Sequence, residues 1–429
     1  MGGIAMPRIL SHVCWSGLIG VGAGLASAVF LITLTMATTQ FTMQPWLIWL
    51  LPCAGALVAW VYQRFGASAN AGNNLILEQL HTRDRAVVPL RMLPLVLLST
   101  LITHLTGGST GREGTAVQMG GSLAATLARL TAQDARDTRI LLMAGISAGF
   151  GGVFGTPLAA TVFGMEVLAV GGLRYVALLP CLIAAYVADW TVRTLGVPHF
   201  HYHIAWIPTL TPLLVGKVII AAICFAGASM LFVESTHVIS QWSRRVFVAP
   251  VWRAVAGGLL VIALTLLSGT TAYNGLSLPL LHASFTTAGV VWWAFALKLL
   301  FTVVTLGFGY KGGEVTPLFV IGATLGAALA PLLVLPTDLL AALGFVAVFA
   351  AAANTPLACI LMGVELFGSA PLMLIGICTL VAYTVSGHRS IYTAQRVVTH
   401  KYDHDVDPTH HAHLHDIRQQ RQWWRHREH

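Results

Sequence analysis

Between Arg8 and Arg64 the chain carries no Asp, Glu, Lys or Arg. That gap is long enough for two membrane spans of about 20 residues each. Further uncharged stretches run from Met92 to Gly111, Ile140 to Met165, Thr194 to Gly216, Val315 to Thr337 and Leu339 to Val364. Only 9% of the residues are charged, against roughly 25% in a soluble globular protein. Sixteen acids and 24 bases cannot coat a water-soluble body of 429 residues. The chain is therefore expected to be an all-α, polytopic integral membrane protein. Gly and Pro interrupt several of the apolar runs, which predicts short, paired or broken helices among the straight spans.

The apolar run from Val13 to Ala37 is too long for a cleavable signal and reads as a span. Six cysteines (Cys14, Cys53, Cys181, Cys224, Cys359, Cys378) stand singly in apolar sequence. They are expected as small buried hydrophobes, without disulfides or metal-ligand spacing. The net charge of +8 gathers in loops and near the C-terminus, with seven Lys or Arg from Arg389 onward. The positive-inside rule puts that end in the cytoplasm. A nucleic-acid partner is not expected, because these bases are not on a folded soluble domain. Residues 399–429 form a polar tail; from His400 it holds eight histidines together with Trp423 and Trp424. It reads as a solvated tail with interfacial tryptophans rather than a metal site. No metal or cofactor is expected.

The chain repeats itself. T-P-L-A-A-T-V-F-G-M-E, Thr156 to Glu166, returns as T-P-L-A-C-I-L-M-G-V-E, Thr355 to Glu365. Upstream, G-R-E-G-T from Gly111 returns as G-G-E-V-T from Gly312. The offsets are 199 and 201 residues. Two matches at nearly one offset predict a duplicated unit, with residues 1–200 and 201–398 as the halves. Membrane transporters are commonly built from such repeats in inverted topology, with the substrate site where the halves meet. Irregular backbone is tolerated at membrane depth only where it is buried in protein or lines a cavity. The Gly-rich segments Gly107 to Gly121 and Gly307 to Gly326 are accordingly the expected helix breaks.

Ionisable residues inside such a protein are functional candidates. They are Glu113, Glu166, Glu314, Glu365, Lys298 and Asp189. Glu113 stands where glycines let a helix begin. A helix N-terminus offers free N–H groups and partial positive charge, so it draws anions. A carboxylate held there competes with a permeating anion until a proton neutralises it, which is a physical route to anion/proton exchange. Gly114 and Thr115 share that helix start. Glu314 has the same setting in the second half, with Val315, Thr316 and Pro317 in the first turn. Its plain alternative is an acidic helix cap. Asn73 and Asn74 offer amide donors, or simply a turn. Tyr392 offers a phenol. Glu166 and Glu365 are expected in structural roles. Gly145-Ile-Ser147-Ala-Gly149 fits the G-x-S-x-G pattern, but its apolar flanks are not the strand and helix that a hydrolase needs. No enzyme is expected.

Together these residues resemble the CLC family of chloride channels and anion/proton exchangers. G-R-E-G-T is similar to the family's G-R-E-G-P motif, with Glu113 on the gating glutamate. G-G-E-V-T-P falls on G-x-F-x-P, and Tyr392 on the tyrosine that contacts the central anion. The resemblance covers roughly Gly72 to Arg396. It implies an inverted repeat, a homodimer with one pathway per subunit, and multi-pass residence in a bacterial inner membrane. The departures point further. Asn73 replaces the anion-facing serine, Val167 replaces the internal proton-relay glutamate, and Glu314 and Thr316 alter the third motif. This pattern is similar to the fluoride-exporting clade, implying exchange of fluoride for protons. The competing expectation on the same scaffold is a chloride/proton exchanger or a passive anion channel.

Overall fold

The computed structural model describes residues 5–81, 88–199, 202–286, 289–399 and 401, with side chains from Leu10 onward. The histidine-rich tail with Trp423 and Trp424 lies outside the described residues. Helix α1 (Ala5–Met43) is followed by a 3-10 turn and α2 (Leu51–Val61). A π turn and a second 3-10 turn carry the backbone to Gly72. Then come α3 (Asn73–His81), α4 (Met92–Leu105), α5 (Glu113–Leu130), α6 (Ala135–Phe154), α7 (Pro157–Glu166) and α8 (Leu178–Thr194). The same order recurs as α9 (Pro212–Val246), α10 (Pro250–Ser268), α11 (Leu278–Ala283) and α12 (Ala294–Gly307). It continues with α13 (Val315–Leu333), α14 (Thr337–Ala353), α15 (Pro356–Phe367) and α16 (Leu372–Val385). Among the described residues, six helical segments are long and apolar enough to cross a membrane. The protein is an all-α, multi-pass membrane protein, as expected.

Each half opens on a long membrane-length helix, α1 or α9. In each, a 14-residue helix, α4 or α12, stops at a glycine-containing break before the next helix starts. The helices after the breaks pack closely, α5 on α6 and α13 on α14. A Cβ at Gly120 would run into the carbonyl of Gly145, and one at Gly322 into that of Gly344. Backbones at such range exploit small residues, the usual source of close packing where lipid gives helices no hydrophobic reason to associate. The device is the same in both halves.

Glu166 and Glu365 have matching tasks. The Glu166 carboxylate accepts the first-turn N–H groups of α15, Leu357 at 3.1 Å and Ala358 at 2.9 Å. Glu365 accepts those of α7, Leu158 at 2.9 Å and Ala159 at 2.8 Å. Each acid stands in the last turn of its own helix and caps its counterpart's N-terminus, where helix donors lack partners. The halves therefore clasp each other reciprocally, which accounts for the glutamate that closes both copies of the repeated segment. A two-residue parallel strand pair, Ala169–Val170 with Arg396–Val397, ties the C-terminal segment to the end of α7.

One expectation needs adjusting. The six cysteines are free, but Cys14 and Cys53 are exposed and Cys224 is half-buried, rather than all lying inside. In a membrane protein the outer face is apolar too, so an apolar context does not distinguish core from lipid-facing surface. Ser147 lies buried in mid-α6, with no strand-to-helix turn around it. Gly164 of α7 packs on its hydroxyl. The G-x-S-x-G run is thus a helix-packing seam, and the acidic Asp189 is likewise structural, paired with Arg193 at 2.8 Å and His199 at 3.3 Å.

Candidate functional site

Three helix starts converge at one place. Gly72, at φ 59°, turns the chain into α3 at Asn73. The break before α5 delivers Glu113, and the break before α13 delivers Val315 and Thr316. The two breaks touch: Gly111 N–H donates to Gly313 O at 2.6 Å and Gly313 N–H to Gly111 O at 2.7 Å. Glycine is required at Gly111, where a Cβ would meet Thr316 Oγ1 and Pro317 Cδ at 2.8 Å.

This pairing hands the Glu113 side chain to the other half. Glu113 is 1% exposed. Its Oε2 accepts Thr316 N–H at 3.0 Å and the Thr316 hydroxyl at 2.5 Å. Arg112 flanks it, with Nε 3.4 Å from Oε1. The carboxylate thus occupies the positive end of α13, the anion-attracting position in the other repeat. Charge-assisted bonds of this kind are about twice as strong as neutral ones.

Two spaces adjoin this seat. On one side is a narrow cleft lined by Arg112, Glu113, Thr316, Tyr202, Phe319 and Phe345. On the other is a narrow cavity lined by Asn73, Ile76, Val117, Phe163 and Tyr392 among others. Glu113 and Val117 are one turn apart on α5, so the start of that helix separates the two. A Cβ at Gly114 would lie 3.1 Å from the Asn73 amide nitrogen, which puts that amide against the helix start. Asn73 Oδ1 is buried with no hydrogen-bond partner among the described residues. Tyr392 is 3% exposed.

The structure brings Glu113, Gly114, Thr316, Asn73, Tyr392 and the Val315 backbone together, and treats two other candidates differently. The Thr115 hydroxyl pairs with Thr100 at 2.8 Å inside the first half, so its side chain faces away from the seat. Glu314 lines a vestibule with Asn74, Glu78, Arg244 and Tyr310, and Ile391 and Thr393 on either side of Tyr392 line it too.

Several positioning residues were not singled out from the sequence. Gln395, fully buried, donates to Val167 O at 3.0 Å and Ala353 O at 3.1 Å and accepts from Asn354 at 3.0 Å. It fixes the segment that carries Tyr392. Asn274 donates to Gly107 O at 2.8 Å and so holds the first break. A lone amide in a loop gives no sequence signal of such a role. Arg112, by contrast, stood inside the G-R-E-G-T motif. The groups that face the seat are backbone N–H, hydroxyl, amide and carboxyl. They can bind a small anion and exchange a proton. Among the described residues no group of His, Cys, Asp or Glu is arranged to hold a metal.

The description "Voltage gated chloride channel" matches residues 54–387 as a family. A "Chloride/fluoride channel protein" of Pseudomonas syringae pv. tomato is 48% identical over 398 residues, covering 91% of this chain and 88% of that protein. An "H(+)/Cl(-) exchange transporter ClcA" of Yersinia pestis bv. Antiqua is 26% identical over 360 residues, covering 77% of this chain and 73% of that protein. Among solved structures, a CLC-type fluoride/proton antiporter superposes with TM-score 0.88 at 36% identity, covering 91% of this chain and 98% of that one. A slow cyanobacterial Cl-/H+ antiporter superposes with TM-score 0.75 at 20% identity, covering 87% and 94%, which shows the shared fold.

Proposed function

As this chain belongs to the voltage-gated chloride channel (CLC) family, a family of transporters and channels rather than enzymes, we propose that it is a fluoride/proton antiporter gated by Glu113. The observation that carries the reading is the Glu113 carboxylate seated on Thr316 N–H and hydroxyl, across the boundary between the two halves. The 48% identity to a protein named for chloride and fluoride, and the likeness to a solved fluoride/proton antiporter, support the substrate class.

The cycle follows from competition for one seat. Ionised Glu113 fills the positive end of α13 and excludes an anion. A proton removes its charge, the charge-assisted bonds weaken, and the neutral acid leaves. Fluoride then takes the same donors. It is small and strongly hydrated, so losing water requires strong, close donors; Thr316, the Val315 N–H, the Asn73 amide and the Tyr392 hydroxyl supply them. Loss of the proton returns the carboxylate and expels the anion. An inward proton gradient drives fluoride outward. Glu314, in its vestibule with Glu78, serves as a proton-collecting group. Glu166 is committed to capping α15 and is followed by Val167, so the relay is not placed there.

The halves divide at residues 200 and 201, with a cytoplasmic tail after residue 398. The protein resides in a bacterial inner membrane with its C-terminus inside. It works as a homodimer. The test is flux from liposomes, with fluoride or chloride as the loaded anion and a selective electrode outside. Fluoride release with proton uptake and little chloride release is expected. Equal fluxes of both anions, or fluoride release without proton movement, overturn the reading in favour of a chloride exchanger or passive channel.

A further inference from the structure

Lys298 of α12 is fully buried. Its Nζ donates to Gly275 O at 2.8 Å, Ser109 Oγ at 2.9 Å and Tyr273 O at 3.3 Å. Three acceptors match the three N–H groups of an ammonium, which has no lone pair to offer. Yet no carboxylate faces it: among the described residues, every ion pair belongs to other cations. Burying a charge without a counter-ion is expensive, and inside a membrane such a group marks function by default.

Its location identifies what it can act on. Ser109 lies in the break that leads into α5. Thr302 and Thr305 of α12 also hold Ser109, through its hydroxyl at 2.9 Å and its N–H at 3.2 Å. Asn274 holds Gly107. The first break is therefore pegged to the second half by several polar groups, of which Lys298 alone is charged. Four residues separate Ser109 from Glu113, a span of at most about 14 Å. For charges about 12–14 Å apart at an effective dielectric constant near 20, one unit charge changes the occupancy of another by roughly sevenfold to tenfold. The surrounding protein keeps salt from screening it, unlike an exposed pair.

We propose that Lys298 is a second, buried positive charge behind the transport seat, adding to that of Arg112 beside Glu113 and helping to keep one negative group there at every stage, first the Glu113 carboxylate and then the anion that replaces it. This deepens the exchange reading above and rests on it. Because the ammonium favours both occupants, it leaves their competition balanced. What it disfavours is the empty seat with Glu113 neutral, the state that would let protons slip without anions. Lys298 is a positioning residue acting through its field.

The balance hides the effect in the wild type, so the gate must first be made neutral. Fluoride is titrated calorimetrically into purified full-length E113Q, and into the same chain with K298Q, K298R or S109A added. The expected result is a Kd about sevenfold to tenfold higher for E113Q/K298Q, and within twofold of E113Q for both E113Q/K298R and E113Q/S109A. A Kd unchanged by K298Q overturns the proposal. So does a tenfold rise in S109A, where the ammonium is kept and only a hydrogen bond is lost. If K298Q does not fold, K298M in the same E113Q background, which removes the charge and keeps the length of the side chain, is titrated instead, and an unchanged Kd there overturns the proposal. Absence of fluoride binding to E113Q together with absence of fluoride flux in wild-type vesicles overturns the transport reading itself. Binding that is indifferent to Lys298 overturns this inference alone.

Discussion

Replacing either clasping glutamate by glutamine separates a structural role from a proton-relay role. In E365Q one amide oxygen remains to accept one N–H of α7. The amide NH2 then faces the other N–H, so one of Leu158 and Ala159 loses its acceptor. Leaving one such donor unsatisfied costs about 1–3 kcal/mol. Losing a negative charge from the first turn of a helix adds about 0.5–1 kcal/mol. The total is about 1.5–4 kcal/mol for E365Q. E166Q breaks the same pair of bonds to Leu357 and Ala358 at nearly the same lengths. Glu166 is only 7% exposed, more deeply placed than half-buried Glu365. Its charge is costlier to bury, so its removal returns more, and E166Q should lose less, about 1–2 kcal/mol. Thermal unfolding of the detergent-purified variants reads the loss, and vesicle flux reads coupling. Both variants should be less stable, E365Q more so, with the proton-to-fluoride ratio unchanged. An E166Q protein of wild-type stability that has lost proton coupling would refute the capping argument and put a proton relay back at that position.

Three further outcomes follow from the geometry. N73S exchanges an amide against the α5 start for a shorter hydroxyl. Loss of one donor worth about 1.5 kcal/mol should raise the fluoride KM roughly tenfold and increase relative chloride flux; paired electrode recordings check it. G322A drives a methyl into the Gly344 carbonyl and should destabilise the fold by about 1–3 kcal/mol, measured by thermal unfolding, with G120A matching it in the first half. G111A puts a methyl against Thr316 and Pro317 and should abolish fluoride flux while leaving a folded protein by size-exclusion chromatography.

Much of the architecture was legible because lipid restricts the alphabet. Runs without charge marked the spans, and glycine clusters marked the two breaks. The repeated T-P-L-A segment, ending in Glu166 and Glu365, revealed the duplication. The partnerships across the halves were not legible. Glu113 is bonded to Thr316, 203 residues away, and no local pattern encodes that pairing. Thr115 turns towards Thr100 because only one face of α5 meets the seat. Glu314 occupies a place in the sequence like that of Glu113, yet lines a vestibule with Glu78. Inverted repeats present equivalent positions from opposite directions. Asn274 and Gln395 hold backbone carbonyls at points where the fold brings distant segments together, so their tasks exist only in three dimensions. Cys14 and Cys53 face outward because membrane helices are apolar on both sides.

The central claim is that one carboxylate and one anion exchange places under control of a proton. Its most direct test is simultaneous recording of fluoride and pH outside vesicles loaded with fluoride, comparing the wild-type chain with E113Q. The wild type should release fluoride and take up protons in a fixed ratio. E113Q should move no protons against a fluoride gradient. Proton uptake by E113Q at the wild-type ratio would contradict the account, because the seat at Thr316 would then have no part in coupling.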